Sequence, residues 1–291
     1  MRGLFRWGII VLVLLGFGIG LFVFKGLKEA PVVFPTPTPE VFSTKKIIGK
    51  SIEGRSIEAY TFGNGGKHIL FVGGIHGGYE WNSVILSYQF IDYIEANPEI
   101  FPEDLKVTVI PSLNPDGVFK VVSKEGRFAS ADVSVDASTK ASGRFNANEV
   151  DLNRNFDCKW QSESMWQGKK VSAGTRPFSE PEALALRDFV LTNRPEAAVF
   201  WHSQANAVYA SECEAGILPE TLDVMNAYSR AAGYKPVESF DSYVITGDAE
   251  GWLSSIGIPA ITVELSTHET IEWEKNLAGV KALFDYYEGE F

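Results

Sequence analysis

Cysteine and histidine are scarce in this chain of 291 residues, which has two cysteines, Cys158 and Cys213, and four histidines. Two cysteines allow one disulfide at most; in an exported domain they are either that disulfide or two buried free thiols, and spacing alone does not choose. A long basic run is also missing, and the net charge is −11, so the phosphate-binding face that a nucleic-acid partner needs is absent. No serine sits in a G-x-S-x-G elbow, which removes the commonest serine-hydrolase arrangement. Internal repeats are absent, and the only biased tract is a short proline-rich stretch. With 45% apolar and 22% charged residues, the composition is that of a folded globular chain rather than a disordered one.

The charge that is present is unevenly spread. Residues 1–28 hold Arg2, Arg6, Lys25 and Lys28 and no acid, so the net −11 leaves −15 for the remainder. Within that basic end, Trp7 to Phe24 is a run of 18 uncharged residues. As a helix it would extend about 27 Å, enough to cross most of a bilayer. The expectation is a single-pass membrane anchor over residues 1–28, with a cleaved signal peptide (and hence a secreted protein) as the alternative. The stretch "APVVFPTPTPEVF" predicts an extended linker over residues 29–44. Residues 45–291 would then form an extracytoplasmic catalytic domain.

From Lys45 onward, short apolar runs alternate with helical periods. "KKIIGKSIEGRSIEAYTFG" reads as two strands turning at Glu53-Gly54-Arg55, and "HILFVGGI", "LKVTVIPS", "EAAVFWHS" and "PAITVELS" as buried strands. Between the first two of these, Val84, Ile85, Tyr88, Ile91 and Ile94 keep a helical spacing that stops near Pro98. "SEPEALALRDFV" predicts a helix opened by a Ser179–Glu182 capping box, and the tail from Glu269 predicts an amphipathic helix. The fold class is α/β: one domain with a mostly parallel mixed sheet and helices on both faces.

In such sheets chemistry sits where strands end. His76 follows "ILFVGGI", His202 follows "AAVFW", and Glu264 closes "AITV". His76 and Glu80, four residues apart across Gly77 and Gly78, are either a tight turn with a structural histidine or two ligands of a metal site. Zinc held by two imidazoles and one carboxylate would keep a coordination position open for chemistry. His68 and His268 stand at less telling places. Asn114 and Asp116 in "NPDG" read as a capped turn, with Asp116 alternatively orienting a ligand imidazole.

Eight stretches, "GKSIEGRSI", "GGIHGGYEW", "IPSLNPDG", "GRFNANEVDLNRNFD", "PFSEPEA", "WHSQ", "YVITGDAEGW" and "ITVEL", run in an order that resembles the zinc metallocarboxypeptidases, the carboxypeptidase A-like family. The resemblance covers about Gly49 to Leu265. It implies one Zn²⁺ per chain on His76, Glu80 and His202, with Glu264 as general base and Arg144 facing the developing oxyanion. It further implies that Asn153 and Arg154 clamp the terminal carboxylate of a peptide and that Tyr243 closes over it. Glu250 would line the side-chain pocket and favour a basic or amino-bearing residue; otherwise it is simply an acid in a first helical turn capped by Asp248. One departure stands out: the family's glutamate follows its histidine by three residues, a position held here by Tyr79. Glu80 comes one residue late, as though the turn carried a bulge. The implied activity is removal of a C-terminal residue from peptides. Peptidoglycan stem peptides as substrate, and a zinc-free relative that merely binds carboxylates, are the alternatives.

Overall fold

The computed structural model describes residues 43–241 and 243–289. The expected anchor and nearly all of the proline-rich linker lie outside the described residues; Ser43 and Thr44, placed in the linker by sequence, belong to the first strand. Among the described residues, no helix is long and apolar enough to cross a membrane.

The first half of the chain supplies strands β1 (Ser43–Lys50), β2 (Ser56–Phe62), β3 (Lys67–Val72) and β4 (Leu105–Ile110), with helix α1 (Trp81–Ala96) between β3 and β4. Helices α2 (Pro115–Val122) and α3 (Ala137–Ser142), the hairpin β5 (Glu163–Trp166) and β6 (Lys169–Ser172), and α4 (Pro181–Asn193) follow. Then come β7 (Ala197–Ser203), β8 (Ala207–Ala210), the short pair β9 (Glu212–Cys213) and β10 (Gly216–Ile217), α5 (Pro219–Ala232) and β11 (Lys235–Val237). The chain closes with α6 (Ala249–Ser255), β12 (Ala260–Leu265) and α7 (Trp273–Glu288).

Eight strands form one sheet in the order β1-β2-β4-β3-β7-β12-β8-β11. Its centre, β4-β3-β7-β12, is parallel, and β2 and β8 join it antiparallel on either side. Parallel strands covered on both faces must be apolar throughout, and all seven residues of β7 are buried. The two-residue period of a strand divides the core. Ile69 and Phe71 of β3 face α1, α2, α5 and α7, while Leu70 and Val72 face α4 and α6. Helices on both faces are therefore a direct consequence of the β3 and β7 sequences.

The expected capping box does not form. Glu180 occupies the position before α4 without a side-chain bond to the helix. Glu182 is fully buried and instead accepts the Ile52 amide at 3.1 Å, tying α4 to the β1–β2 turn. Ser179 lies one residue too early and bonds Asn155 at 2.9 Å. "NPDG" starts helix α2 rather than a bare turn, with Asn114 Oδ1 accepting the Gly117 amide at 2.8 Å as a cap. That start turns Asp116 toward Ser51 and Arg55, 2.6 and 2.8 Å away, so it supports the β1–β2 turn and orients no ligand imidazole.

Cys158 and Cys213 form a disulfide. It joins the segment after Arg154 to β9.

Candidate metal centre

The sheet order reverses at β3. The next strand in sequence, β4, lies on one side of it, and β7 lies on the other. Crevices form at such switch points, beyond the carboxyl ends of the strands. His76 stands just after β3, and His202 is the sixth residue of β7. Glu264 of β12 is in register with His202, so the two are lateral neighbours at the same edge.

The late glutamate is accommodated by a 3-10 turn over Gly77–Glu80 that runs straight into α1. Gly77 has a φ of +48°, which a side chain would resist. A Cβ on Gly78 would lie 2.5 Å from the Val121 side chain. The extra residue, Tyr79, swings out into a wall formed with Trp166 and His268, at centroid distances of 5.1 and 4.7 Å. Replacing Gly78 with alanine is expected to overpack the turn against α2 and to cost about 1–3 kcal/mol of stability, read from urea unfolding.

His76 Nδ1 lies 2.8 Å from Glu80 Oε1, and His202 Nδ1 lies 3.0 Å from Glu80 Oε2 and 3.1 Å from His76 Nδ1. Donor atoms of all three residues fall within 4.8 Å of one another, and all three residues are buried. The outer nitrogens face carboxylates: His202 Nε2 is 3.1 Å from Glu250 Oε1, and His76 Nε2 is 3.5 Å from Asp151 Oδ1. With the His202 proton on Nε2, donated to Glu250, and the His76 proton on Nε2 toward Asp151, both Nδ1 lone pairs point at each other and at Glu80. That is the arrangement a cation would bind; in the metal-free chain a proton shared between His202 Nδ1 and Glu80 takes its place. The surrounding charge agrees. Acidic groups crowd the cluster: Glu80, Glu250 and Glu264 line the same cavity, and Asp151 stands behind it, 3.5 Å from His76 Nε2, a setting that favours a cation. The donor set fits zinc.

All nine residues expected at the site line one cavity of about 710 Å³. Arg144 is buried and held by Asp151, with Nε and Nη2 at 2.9 and 2.8 Å from Oδ2 and Nη1 at 3.9 Å from Glu80. Asn153 accepts the Ala249 amide on its Oδ1 at 2.8 Å, so its side-chain amide nitrogen is left as a donor. Arg154 is buried with its Nε unpartnered. Tyr243, 38% exposed, leans on Phe240 at the mouth. Glu250 is in the first turn of α6, which Asp248 caps by accepting the Gly251 amide at 2.7 Å. The buried Glu264 Oε2 has no hydrogen-bond partner among the described residues.

The sequence reading missed Asp151, which holds Arg144 and faces His76, and it passed over His268, which lines the cavity. Both could have been suspected. Asp151 opens the "DLNRN" run itself, and His268 follows the Glu264 strand by three residues. His68 is a core histidine away from the cavity, its Nε2 2.9 Å from Thr108 Oγ1, and burial holds its pKa at about 4.

In the metal-free chain, burial disfavours the charged form of His202, but Glu80 and Glu250 override it and raise its pKa well above 6.5. Burial and then repulsion by Glu80 raise Glu264 from 4.5 to about 8. Burial opposes ionisation of Glu80 too, yet the two imidazoles hold it below the usual carboxylate range. Folded-state values above the unfolded ones mean that the folded chain keeps protons the unfolded chain releases, so stability falls as pH rises. Between about pH 6 and pH 8, metal-free protein is therefore expected to show a falling urea midpoint. Zinc, which competes with the proton on His202, should flatten that slope. A midpoint independent of pH in chelator would contradict these assignments.

An open α/β sheet with a two-histidine, one-glutamate centre at its switch point is the arrangement of a metallopeptidase. The chain belongs to the zinc carboxypeptidase family, M14, whose profile matches residues 38–282. It is 27% identical over 240 residues to gamma-D-glutamyl-L-diamino acid endopeptidase 1 of Lysinibacillus sphaericus, covering 76% of this chain and 60% of that protein. It is 33% identical over 122 residues to human carboxypeptidase Z, covering 38% of this chain and 17% of that protein. Thus the chain spans about three-fifths of the first relative's length and far less of the second's. Its fold matches murein-tripeptide amidase from Escherichia coli O157, with a TM-score of 0.58, 20% identity and coverage of 82% and 90% of the two chains. Bovine thrombin-activatable fibrinolysis inhibitor matches with a TM-score of 0.67, 20% identity and coverage of 86% and 91%.

Proposed function

We propose that this protein is a zinc-dependent carboxypeptidase that releases the C-terminal residue of peptides bearing a free carboxylate. The observation that supports this reading is that the His76–Glu80–His202 cluster and the cationic pair Arg144 and Arg154 line one cavity. An endopeptidase has no terminal carboxylate to hold, and a second buried arginine would then lack a task.

Bound zinc would supply Lewis acidity, lowering the pKa of water toward neutrality and polarising a carbonyl. The chain's own residues do the rest. Glu264, whose free oxygen faces no partner, takes a proton from the attacking water and delivers it to the leaving amine. Arg144, fixed by Asp151, presents a positive charge where the scissile carbonyl becomes anionic. Arg154 and the Asn153 amide receive the terminal carboxylate. Tyr243 covers the mouth once substrate is in place.

A chelation-and-rescue assay on a peptide ending in lysine tests the reading. Activity should vanish with chelator and return with zinc; no activity in the zinc-loaded protein would leave only a carboxylate-binding relative. A second reading keeps the chemistry and changes the substrate to peptidoglycan stem peptides. It is favoured by the bond specificities that the names of the Lysinibacillus endopeptidase and the Escherichia amidase carry. A peptide with a γ-D-glutamyl-diamino acid bond, assayed in competition with the lysine peptide, separates the two.

Glu250 is the proposed selector of basic or amino-bearing termini. Burial opposes its ionisation, but His202 overrides this and holds its pKa below 4.5, so a charged carboxylate stands on the cavity wall. Glu250→Gln is expected to reduce the preference for lysine over leucine termini by about tenfold, the scale of one charge-assisted hydrogen bond. Unchanged selectivity accompanied by weaker zinc binding would restrict Glu250 to supporting His202.

For residues 1–28 we propose a membrane anchor, with the catalytic domain outside the cytoplasm. Membrane fractions that retain the full chain after an alkaline wash would agree, and release of the full chain into the soluble fraction would not.

A further inference from the structure

The cavity holds one imidazole for which the proposed reaction has no use. His268, in the loop between β12 and α7, is half-buried on the cavity wall. Its Nδ1 is 2.7 Å from Ser203 Oγ, and the same hydroxyl is 3.0 Å from Asn82 Oδ1. Asn82 Nδ2 in turn lies 2.7 Å from the Thr267 carbonyl and 2.9 Å from the Thr270 carbonyl.

This chain of contacts fixes its own protons. Two carbonyl oxygens can only accept, so both amide hydrogens of Asn82 are committed to them, which also fixes which way the amide faces. Asn82 Oδ1 is then an acceptor, and it takes the single hydrogen of the Ser203 hydroxyl. Ser203 Oγ has none left for His268, so His268 must donate to it from Nδ1. The imidazole is therefore the Nδ1–H tautomer, with a lone pair on Nε2. Burial lowers its pKa from 6.5, which keeps the ring neutral at pH 7. Nε2 has no hydrogen-bond partner among the described residues. Tyr79, tilted against the ring at 4.7 Å, holds its plane.

A neutral, oriented imidazole acceptor on a cavity wall suits a neutral N–H donor. The carboxylate clamp comes from other segments, Leu152–Arg154 and the start of α6. With the leaving residue held there, the remaining part of the substrate that can meet the His268 wall is its acyl part, where a peptide carries an amide N–H.

We propose that His268 Nε2 accepts a hydrogen bond from the substrate's amide N–H on the acyl side of the scissile bond, so that it helps to select peptide-like substrates. The substrate half of this inference rests on the peptidase reading above; the tautomer does not.

Two measurements test it. Long-range proton–nitrogen correlation on nitrogen-15-labelled, metal-free protein should show His268 with a protonated Nδ1 and a bare Nε2, the signal being assigned by its loss in His268→Phe. The opposite tautomer, or a doubly protonated ring at pH 7, would overturn the inference. Zinc-loaded wild type and His268→Phe, which keeps an aromatic ring against Tyr79, are then assayed on two N-acylated dipeptides ending in lysine. These differ only by an N-methyl group on the residue preceding the scissile bond. The variant should lose about five- to tenfold in kcat/KM on the N–H peptide and less than about twofold on the N-methyl peptide, as expected for one neutral hydrogen bond. Equal losses, or none, would overturn the assignment. Failure of the wild type to cleave either peptide would overturn the reading as a carboxypeptidase of ordinary peptides and this substrate contact together, leaving the tautomer result to stand by itself.

Discussion

Replacing Glu264 with glutamine is expected to lower peptide hydrolysis by roughly 10²–10⁴-fold while the protein still folds and binds zinc. The substitution preserves shape and removes only the ability to take a proton. Glu264 sits on β12 in register with His202, at the carboxyl edge of the parallel centre, and its Oε2 has no partner among the described residues. A buried carboxylate oxygen without a partner is costly, and a purely structural glutamate would have acquired one. Steady-state rates with zinc content measured in parallel check the prediction. A glutamine variant with near-native activity would remove the proton-transfer role, and a variant without zinc would mean that Glu264 supports the metal centre instead.

Replacing Arg154 with alanine should have the second largest effect, and a selective one. Two charge-assisted hydrogen bonds to a carboxylate, at roughly 1.5 kcal/mol each, correspond to about a hundredfold in kcat/KM. That loss should appear on a peptide with a free C-terminus and be nearly absent on its C-terminal amide, which the wild type should already handle poorly. Arg154→Lys keeps the charge and loses the fork, so only partial recovery is expected. Arg144→Ala is a useful contrast. Arg144 is held by Asp151 rather than by the clamp, so its loss should slow the acid and amide peptides alike. If Arg154→Ala did the same, the terminal-carboxylate assignment would fail.

The fold was legible wherever a short run had to be apolar on both faces. β3, β4, β7 and β12 follow from "HILFV", "KVTVI", "AAVFWH" and "AITVEL", and together they make the parallel centre of the sheet. β8, β9, β10 and β11 are two to four residues long, too short for a period to show. The Ser179–Glu182 pair misled because a capping signature is local, whereas Glu182 is claimed by the Ile52 amide 130 residues away. Asp116 misled in the same way, being taken by Ser51 and Arg55 of the β1–β2 turn.

At the candidate site, the residues proposed to ligate or to carry charge could be picked out because strand ends and the family's motif order mark them, and they line one cavity. Their supports were not. Asp151 behind Arg144 and the Asn82–Ser203–His268 relay depend on contacts between segments distant in sequence. The displaced glutamate was legible as a departure, yet only the 3-10 turn explains how Glu80 still meets His202 at 3.0 Å.

Every proposed catalytic role depends on one cation held by His76, Glu80 and His202. Equilibrium dialysis against zinc, with metal counted per chain in wild type, Glu80→Gln and His202→Ala, tests it most directly. One tightly held zinc is expected in the wild type, weakened binding in the first variant and none at this site in the second. Wild-type protein that retains no zinc, or a His202→Ala variant that holds it as firmly, would contradict it.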